Sequence, residues 1–374
     1  MLTPDQIDGL GIAYERLMNP VVEFLIKDIA QRVQRAGKIT STAEYQAYRI
    51  KVISEDLPKA QKRIAELMSS AAGKAESILE EAGKAGYNAD VDRLGGTVKY
   101  SENAGIKQIV EASAKLARND LTNITQTLGF VNRDGLARNL TAAYEKAMDD
   151  AFNLVTTGAA DYNTAIRRAC LKLNADGIQT IDYASRVKTS LEAAVRRNLM
   201  SGTGLMVEQI SQKNHDDLGA DGWEISAHGN CAPDHEPIQG KQYTDEEYQR
   251  LNSRLKRRIG TLNCGHTASP IILGVSQKQY TNRELSDFRR ENDKGVTYEG
   301  REFKTMYEAT QYQRQIERSI RTQKRRIMTA TPQAEAEEKT RLNVLNAEYK
   351  RFSKAVGLRT EDERLFVSGF SKRS

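Results

Sequence analysis

Apolar positions along this chain recur mostly three and four residues apart, the spacing of one face of an α-helix. Ile64, Leu67, Met68, Ala71, Ala75, Ile78, Leu79 and Ala82 hold one such face, and Leu140, Ala143, Tyr144, Ala147, Ala151 and Leu154 hold another. Helix starts are marked as well. Thr3-Pro4-Asp5-Gln6 supplies an N-cap threonine, a first-turn proline and a glutamine placed to complete a capping box, and Ser41-Thr42-Ala43-Glu44 repeats the signal. Gly83, Gly86, Gly95 and Gly96 are expected to break the first long run. The faces are narrow and rich in alanine, which predicts helices packed closely side by side and surfaces on which partner helices could dock. The period continues through Ala165, Ile166, Ala169, Cys170 and Leu173, with Gly177 as a C-cap and Leu191, Val195 and Leu199 on the next helix. On that face Cys170 reads as a reduced core residue.

The pattern changes at Leu218. Gly219-Ala220-Asp221-Gly222 is a turn cluster, residues 223–227 alternate like a short strand, and residues 269–273 suit a second strand. A short polar helix is predicted over 245–258. Beyond residue 283 the helical period returns, with Tyr312, Ile316 and Ile320 on one face. The resulting fold class is mainly α: elongated helical N-terminal (1–160) and central (161–217) regions, a small α+β module (218–282) and a basic helical tail (283–374).

Composition agrees with this reading. The chain has 374 residues, 28% of them charged and only 6% aromatic, with seven prolines, a profile that favours helices with solvated faces. Apolar residues at 39% are enough to form cores. No apolar run approaches the roughly 20 residues that span a bilayer, and the N-terminal residues show no signal-peptide pattern. Three cysteines suit a reducing cytoplasm rather than a disulfide framework. Residues 283–374 carry 21 basic and 15 acidic side chains, so the net charge of +6 belongs to the tail. There Arg314, Arg318, Arg321 and Arg325 share a face, with Lys324 and Arg326 beside them.

The densest chemistry lies in the module. His228, Cys231, His235, Cys264 and His266 fall within 39 residues, although the chain has only four histidines and three cysteines. Imidazole and thiolate are preferred zinc ligands, so a structural zinc held by four of the five would stabilise a module too small to have much core. The alternative is a hydrogen-bonded knot of imidazoles and thiols. A Cys-His nucleophile pair (Cys264 or Cys231 with His235), or a zinc hydrolase using Glu236, can be drawn from the same residues, but no pattern marks a substrate pocket, and the His-Glu pair lacks the second histidine of a helical metalloprotease motif.

Several segments, in order, carry a family likeness. Leu2-Thr3-Pro4-Asp5-Gln6 with Tyr45-Gln46-Ala47-Tyr48-Arg49, then Leu191-Glu192-Ala193-Ala194-Val195-Arg196-Arg197, then Glu224-Ile225-Ser226-Ala227-His228 with Asp234-His235 and Gln239-Gly240-Lys241, then Asn263-Cys264-Gly265-His266, then Tyr307-Glu308-Ala309-Thr310-Gln311. Together they make a chain that resembles the minor capsid proteins of tailed bacteriophages, related to the Mu-like head morphogenesis proteins. Many relatives carry Ala-Arg-Pro where Asn230-Cys231-Ala232-Pro233 stands here. The resemblance implies a structural head component, assembled in the host cytoplasm and packed inside the virion near the portal. It implies as partners the portal protein and the major capsid or scaffold protein, and no catalytic activity. Packaged double-stranded DNA is the polyanion a cationic helix would meet there, through Arg314, Arg318, Arg321, Lys324, Arg325 and Arg326; a charge run is more usually a solvated face, or here a face paired with an acidic patch on the portal. The reading from a different class is a metal-dependent nuclease or hydrolase acting during head maturation or DNA ejection.

Overall fold

The computed structural model describes residues 2–126, 130–131, 137–138, 140–162, 164–166, 168–169, 179–181, 188–261 and 264–370. Cys170, Leu173, Gly177 and Asn263 lie outside these residues. The chain is mainly α-helical with a small strand module, as its periodicity predicts.

Three helices lead into a fourth that organises the rest. Helix α1 (Pro4–Leu17) opens on the predicted capping box, in which the Thr3 hydroxyl accepts from the Gln6 backbone N–H and the Gln6 side chain accepts from the Thr3 N–H. Helix α2 (Asn19–Ala36) follows, then α3 (Thr42–Lys51), capped by Ser41, and a single π-helical turn, Val52–Asp56. Helix α4 runs unbroken from Leu57 to Leu94. Gly83 and Gly86 therefore do not break it. Both face neighbouring helices: a Cβ on Gly83 would sit 2.6 Å from Val110 Cγ2, and one on Gly86 would touch Val207. The glycines let α5 (Ala104–Gln126) and the central helix approach closely, and that packing offsets their low helix propensity. The break comes at Gly95, whose φ of 70° supplies the left-handed C-cap.

Two short antiparallel pairs follow, β1 (Phe130–Val131) with β2 (Ala137–Arg138) and β3 (Gln179–Ile181) with β4 (Lys188–Ser190), on either side of α6 (Leu140–Thr156). The central helix α7 (Leu191–Asp217) packs on α1, α4 and α5. Ile64, Met68, Ala71, Ala75, Leu79 and Ala82 of α4 join Tyr144, Met148, Val195, Leu199 and Met206 in one core. The alanine-rich face of α4 thus packs on α5 and α7, and that of α6 packs on α2, all within the chain.

The module is a three-stranded antiparallel sheet in the order β6 (Gln242–Thr244), β5 (Gly222–Ile225), β7 (Ala268–Ile271). Its middle strand is buried at every position instead of alternating. Glu224 turns toward Arg93 of α4, while Trp223 stacks between His215 of α7 and Tyr248 of α8 (Asp245–Arg254). The tail comprises α9 (Asn282–Asp293), a hairpin of β8 (Val296–Tyr298) and β9 (Arg301–Phe303), and the paired helices α10 (Met306–Met328) and α11 (Pro332–Val356). Glu299 and Gly300 both take positive φ (46° and 80°), the geometry of a tight hairpin turn. A separate aromatic core, with Phe303, Tyr349 and Phe352, holds α10 against α11. No helix among the described residues is long and apolar enough to cross a membrane.

Glu224 has no solvent exposure, and its carboxylate is held by Arg93, by Gln242 Nε2 at 3.2 Å and by the Gln279 backbone N–H at 2.8 Å. Removing the guanidinium strands a buried charge. Arg93→Ala should therefore lower unfolding free energy by about 3–5 kcal/mol in urea titrations. Arg63→Ala, which breaks the exposed pair with Glu66, should cost less than about 1 kcal/mol. Equal effects would contradict this assignment.

Candidate metal centre

The sheet register brings the first histidines together. Ile225 of β5 pairs with Ala268 of β7, and the Ser226 N–H donates to the Thr267 carbonyl at 2.9 Å. The strands diverge just beyond, so His228 and His266 leave the end of the ladder side by side with ring centroids 4.5 Å apart. A left-handed Asn230 (φ 54°) leads the chain into a run of turns. There His235 N–H donates to the Ala232 carbonyl, and Gln239 N–H donates to the His235 carbonyl one turn later. Gly240, with φ 67°, returns the chain to the sheet.

The other arm is positioned by a glycine contact. A Cβ on Gly204 of α7 would lie 1.7 Å from the Gly260 carbonyl oxygen, so only glycine allows this loop to reach the central helix. Beyond it the Cys264 N–H donates to the Thr261 carbonyl at 2.8 Å.

All five candidate ligands meet, in two overlapping trios: His228, Cys231 and His266, and His235, Cys264 and His266. Within each trio the ligand atoms lie within 4.8 Å of one another. Either group could hold a metal ion. Cys231, His235, Cys264 and His266 are buried and His228 is partly so. Each outer imidazole is fixed by a backbone carbonyl. His228 Nδ1–H donates to Gly229 O at 2.8 Å, and His235 Nε2–H donates to Arg257 O at 2.8 Å. His228 Nε2 is buried with no hydrogen-bond partner among the described residues.

Burial dominates the titration behaviour. It pushes the Cys264 thiol up and the Cys231 thiol up to about 12, in the second case with help from Cys264 nearby. It pushes His266 down to about 2, with His228, His235 and Arg257 adding repulsion, and lowers His228 as well. Cys264 Sγ lies 3.2 Å from His235 Nδ1, the geometry of a thiol–imidazole pair, but a raised thiol pKa is the reverse of what a nucleophile needs. The Glu236 carboxylate accepts from Asn292 Nδ2 at 3.1 Å and does not line the cleft beside the cluster.

That cleft, about 400 Å³, lies between the module, α1, α7 and the tail. Its walls carry Arg196, Arg257, Arg314, Arg318, Arg321 and Arg364 against Glu15 and Glu317. Arg196, Arg257 and Arg364 are not among the candidate binding residues predicted from the sequence, because their local patterns carry no binding signal.

The six predicted cations of α10 turn mostly inward. Arg314 pairs with Glu317, Arg321 with Glu15 at 2.5 Å and Arg325 with Glu192. Lys324 donates to the Leu365 carbonyl and lies over the Phe370 ring, and Arg326 donates to Gln323 Oε1 at 3.5 Å. Arg318 is exposed and makes no hydrogen bond or ion pair among the described residues.

The described residues form a helical body with a small strand module, tied to the tail by ion pairs. The family model described as phage minor capsid protein 2 matches residues 2–352, and the chain belongs to that family. No curated protein and no solved structure matches it.

The histidine shifts set a pH dependence. His266 stays neutral in the folded protein down to about pH 2, whereas an unfolded histidine takes up a proton near pH 6.5. Its contribution is thus intact above about pH 6.5 and declines as pH falls from there toward the folded value, by up to about 1.4 kcal/mol per pH unit. Urea unfolding followed by the fluorescence of Trp223, the single tryptophan, should show the decline between neutral pH and the onset of carboxylate titration. A flat profile there would contradict the buried neutral imidazole.

Proposed function

We propose that this chain is built into the phage head as a minor component on the capsid interior, close to the portal, after assembly in the host cytoplasm. The family match across residues 2–352 carries this reading. The way the tail closes on the helical body supports it: Arg364 pairs with Asp8, Arg321 with Glu15 and Arg325 with Glu192. A body fixed at these three points keeps one shape, as a building block must. The portal protein is the partner we assign first, with the major capsid or scaffold protein as neighbours. Contact with packaged DNA through α10 falls chiefly to Arg318, since the other cations are engaged within the chain.

The arginine-lined cleft bordered by the His/Cys cluster favours a second reading, a metal-dependent hydrolase acting on phosphate esters. Glu15 and Glu317, the carboxylates on its walls, are each held by an arginine. That leaves a general base to be supplied by some other group.

Mass spectrometry of purified, nuclease-treated particles, with portal and major capsid peptides as internal standards, separates these readings. We expect the chain at a fixed, low ratio to the portal. Its absence from both procapsids and finished particles would overturn the capsid assignment.

A further inference from the structure

The five His/Cys side chains cannot all serve one ion, because His266 faces the two thiols with opposite nitrogens. Its Nδ1 lies 3.6 Å from Cys264 Sγ, and its Nε2 lies 3.5 Å from Cys231 Sγ. The hydrogen bonds decide between them. Gln239 Oε1 accepts the His228 backbone N–H at 3.1 Å, which fixes that atom as oxygen. The same oxygen lies 3.1 Å from His266 Nε2, so the imidazole proton sits on Nε2 and Nδ1 is bare. His235 is arranged alike: its Nε2–H donates to the Arg257 carbonyl, and its bare Nδ1 lies 3.2 Å from Cys264 Sγ. Cys231 sits on the protonated side of His266, and its own S–H donates to the Ala232 carbonyl.

Ligating imidazoles characteristically donate their far N–H to an oxygen acceptor, which sets the tautomer and orients the ring. Thiolate and imidazole on one tetrahedral zinc, at bond lengths of about 2.3 and 2.0–2.1 Å, stand about 3.6 Å apart. The observed separations from Cys264 are 3.2 and 3.6 Å. The His266 backbone N–H also points at Cys264 Sγ, at 3.4 Å, as it would to support a thiolate.

We propose that His235 Nδ1, Cys264 Sγ and His266 Nδ1 hold one zinc-class divalent cation whose fourth position faces the arginine-lined cleft, where an oxyanion of the phosphate class completes the coordination. Three protein ligands plus one exchangeable position is the pattern of an open zinc site. All three ligands border the cleft, where Arg257, Arg314, Arg321 and Arg364 are ion-paired and the exposed Arg318 is left to meet an entering anion. Gln239 is a positioning residue: it selects the tautomer and touches no metal.

The test uses the full chain, stripped with a chelator and titrated with Co²⁺ as a spectroscopic stand-in for zinc. A single equivalent should bind with a thiolate-to-metal charge-transfer band that survives Cys231→Ser and His228→Gln and disappears in Cys264→Ser. Absence of the band, or its loss with Cys231→Ser and retention with Cys264→Ser, overturns the assignment. Should Cys264→Ser fail to fold, as read by Trp223 fluorescence, Gln239→Leu takes its place. It should weaken cobalt binding about 10- to 100-fold, with Gln239→Glu restoring it, and unchanged binding in Gln239→Leu counts against the proposal. The open position is read by adding inorganic phosphate or a 5′-phosphorylated oligonucleotide to the cobalt-loaded protein. A shift of the visible bands with inorganic phosphate points to a free anion, and a shift with the oligonucleotide alone points to DNA as the source. Bands that move with neither sink the open position. Arg318→Gln should raise the phosphate concentration required several-fold.

Discussion

Buried carboxylates paired with arginines from remote parts of the chain decide which surfaces of this molecule meet. Glu224 of the sheet takes Arg93 of α4, and Glu192 at the start of α7 takes Arg325 of the tail. Pairs of this kind add little net stability, because desolvation offsets much of the attraction, but a mismatched register leaves a charge stranded at a cost of several kcal/mol. The helices need such a constraint. A face built from Ala71, Ala72, Ala75 and Ala82 is smooth, and smooth faces slide past one another with little change in packing energy. In this fold apolar burial draws the helices together, and the ion pairs select the arrangement.

Glycine sets how close those helices come, and through that closeness it sets the cluster. Gly83 lets α5 approach α4, and the Gly204–Gly260 contact pins the loop preceding Cys264 against α7. Cys264 and His266 hang from that loop, while His228, His235 and Gln239 hang from the segment between β5 and β6. The geometry around His266 thus depends on a backbone contact in which no chemically reactive group takes part. Sheet register contributes the other half, through Ile225 opposite Ala268.

The legible parts of the fold were those written in local periodicity. The α4 face, the Thr3 capping box and the clustering of His228, Cys231, His235, Cys264 and His266 could all be read from neighbours in sequence. The rest required knowing what lies across the chain. Gly83 and Gly86 look like helix breakers unless Val110 and Val207 are known to press on them. Strand β5 looks half-buried unless both α4 and α8 are known to cover it. Residues 242–244 and the β8–β9 hairpin are too short for a period-2 pattern to stand out. The sequence showed five candidate ligands but could not show that His266 turns a different nitrogen to each thiol, since that depends on Gln239.

Charge shows the same division between local and tertiary information. The run from Arg314 to Arg326 looks like a cationic helix face offered to solvent, yet Arg321 and Arg325 reach acidic partners more than 130 residues away in sequence, Glu15 and Glu192. Meanwhile Arg196 from α7, Arg257 from the module, Arg314, Arg318 and Arg321 from α10, and Arg364 beyond α11 converge on one cleft. No stretch of the linear sequence displays that concentration. Most of these guanidiniums are held by carboxylates, Arg257 by Asp234, Arg314 by Glu317, Arg321 by Glu15 and Arg364 by Asp8, so the cleft gathers ordered guanidinium groups with the exposed Arg318 among them. The electrostatic character that matters for binding is therefore produced by folding, and it lies beside the His/Cys cluster instead of along the tail.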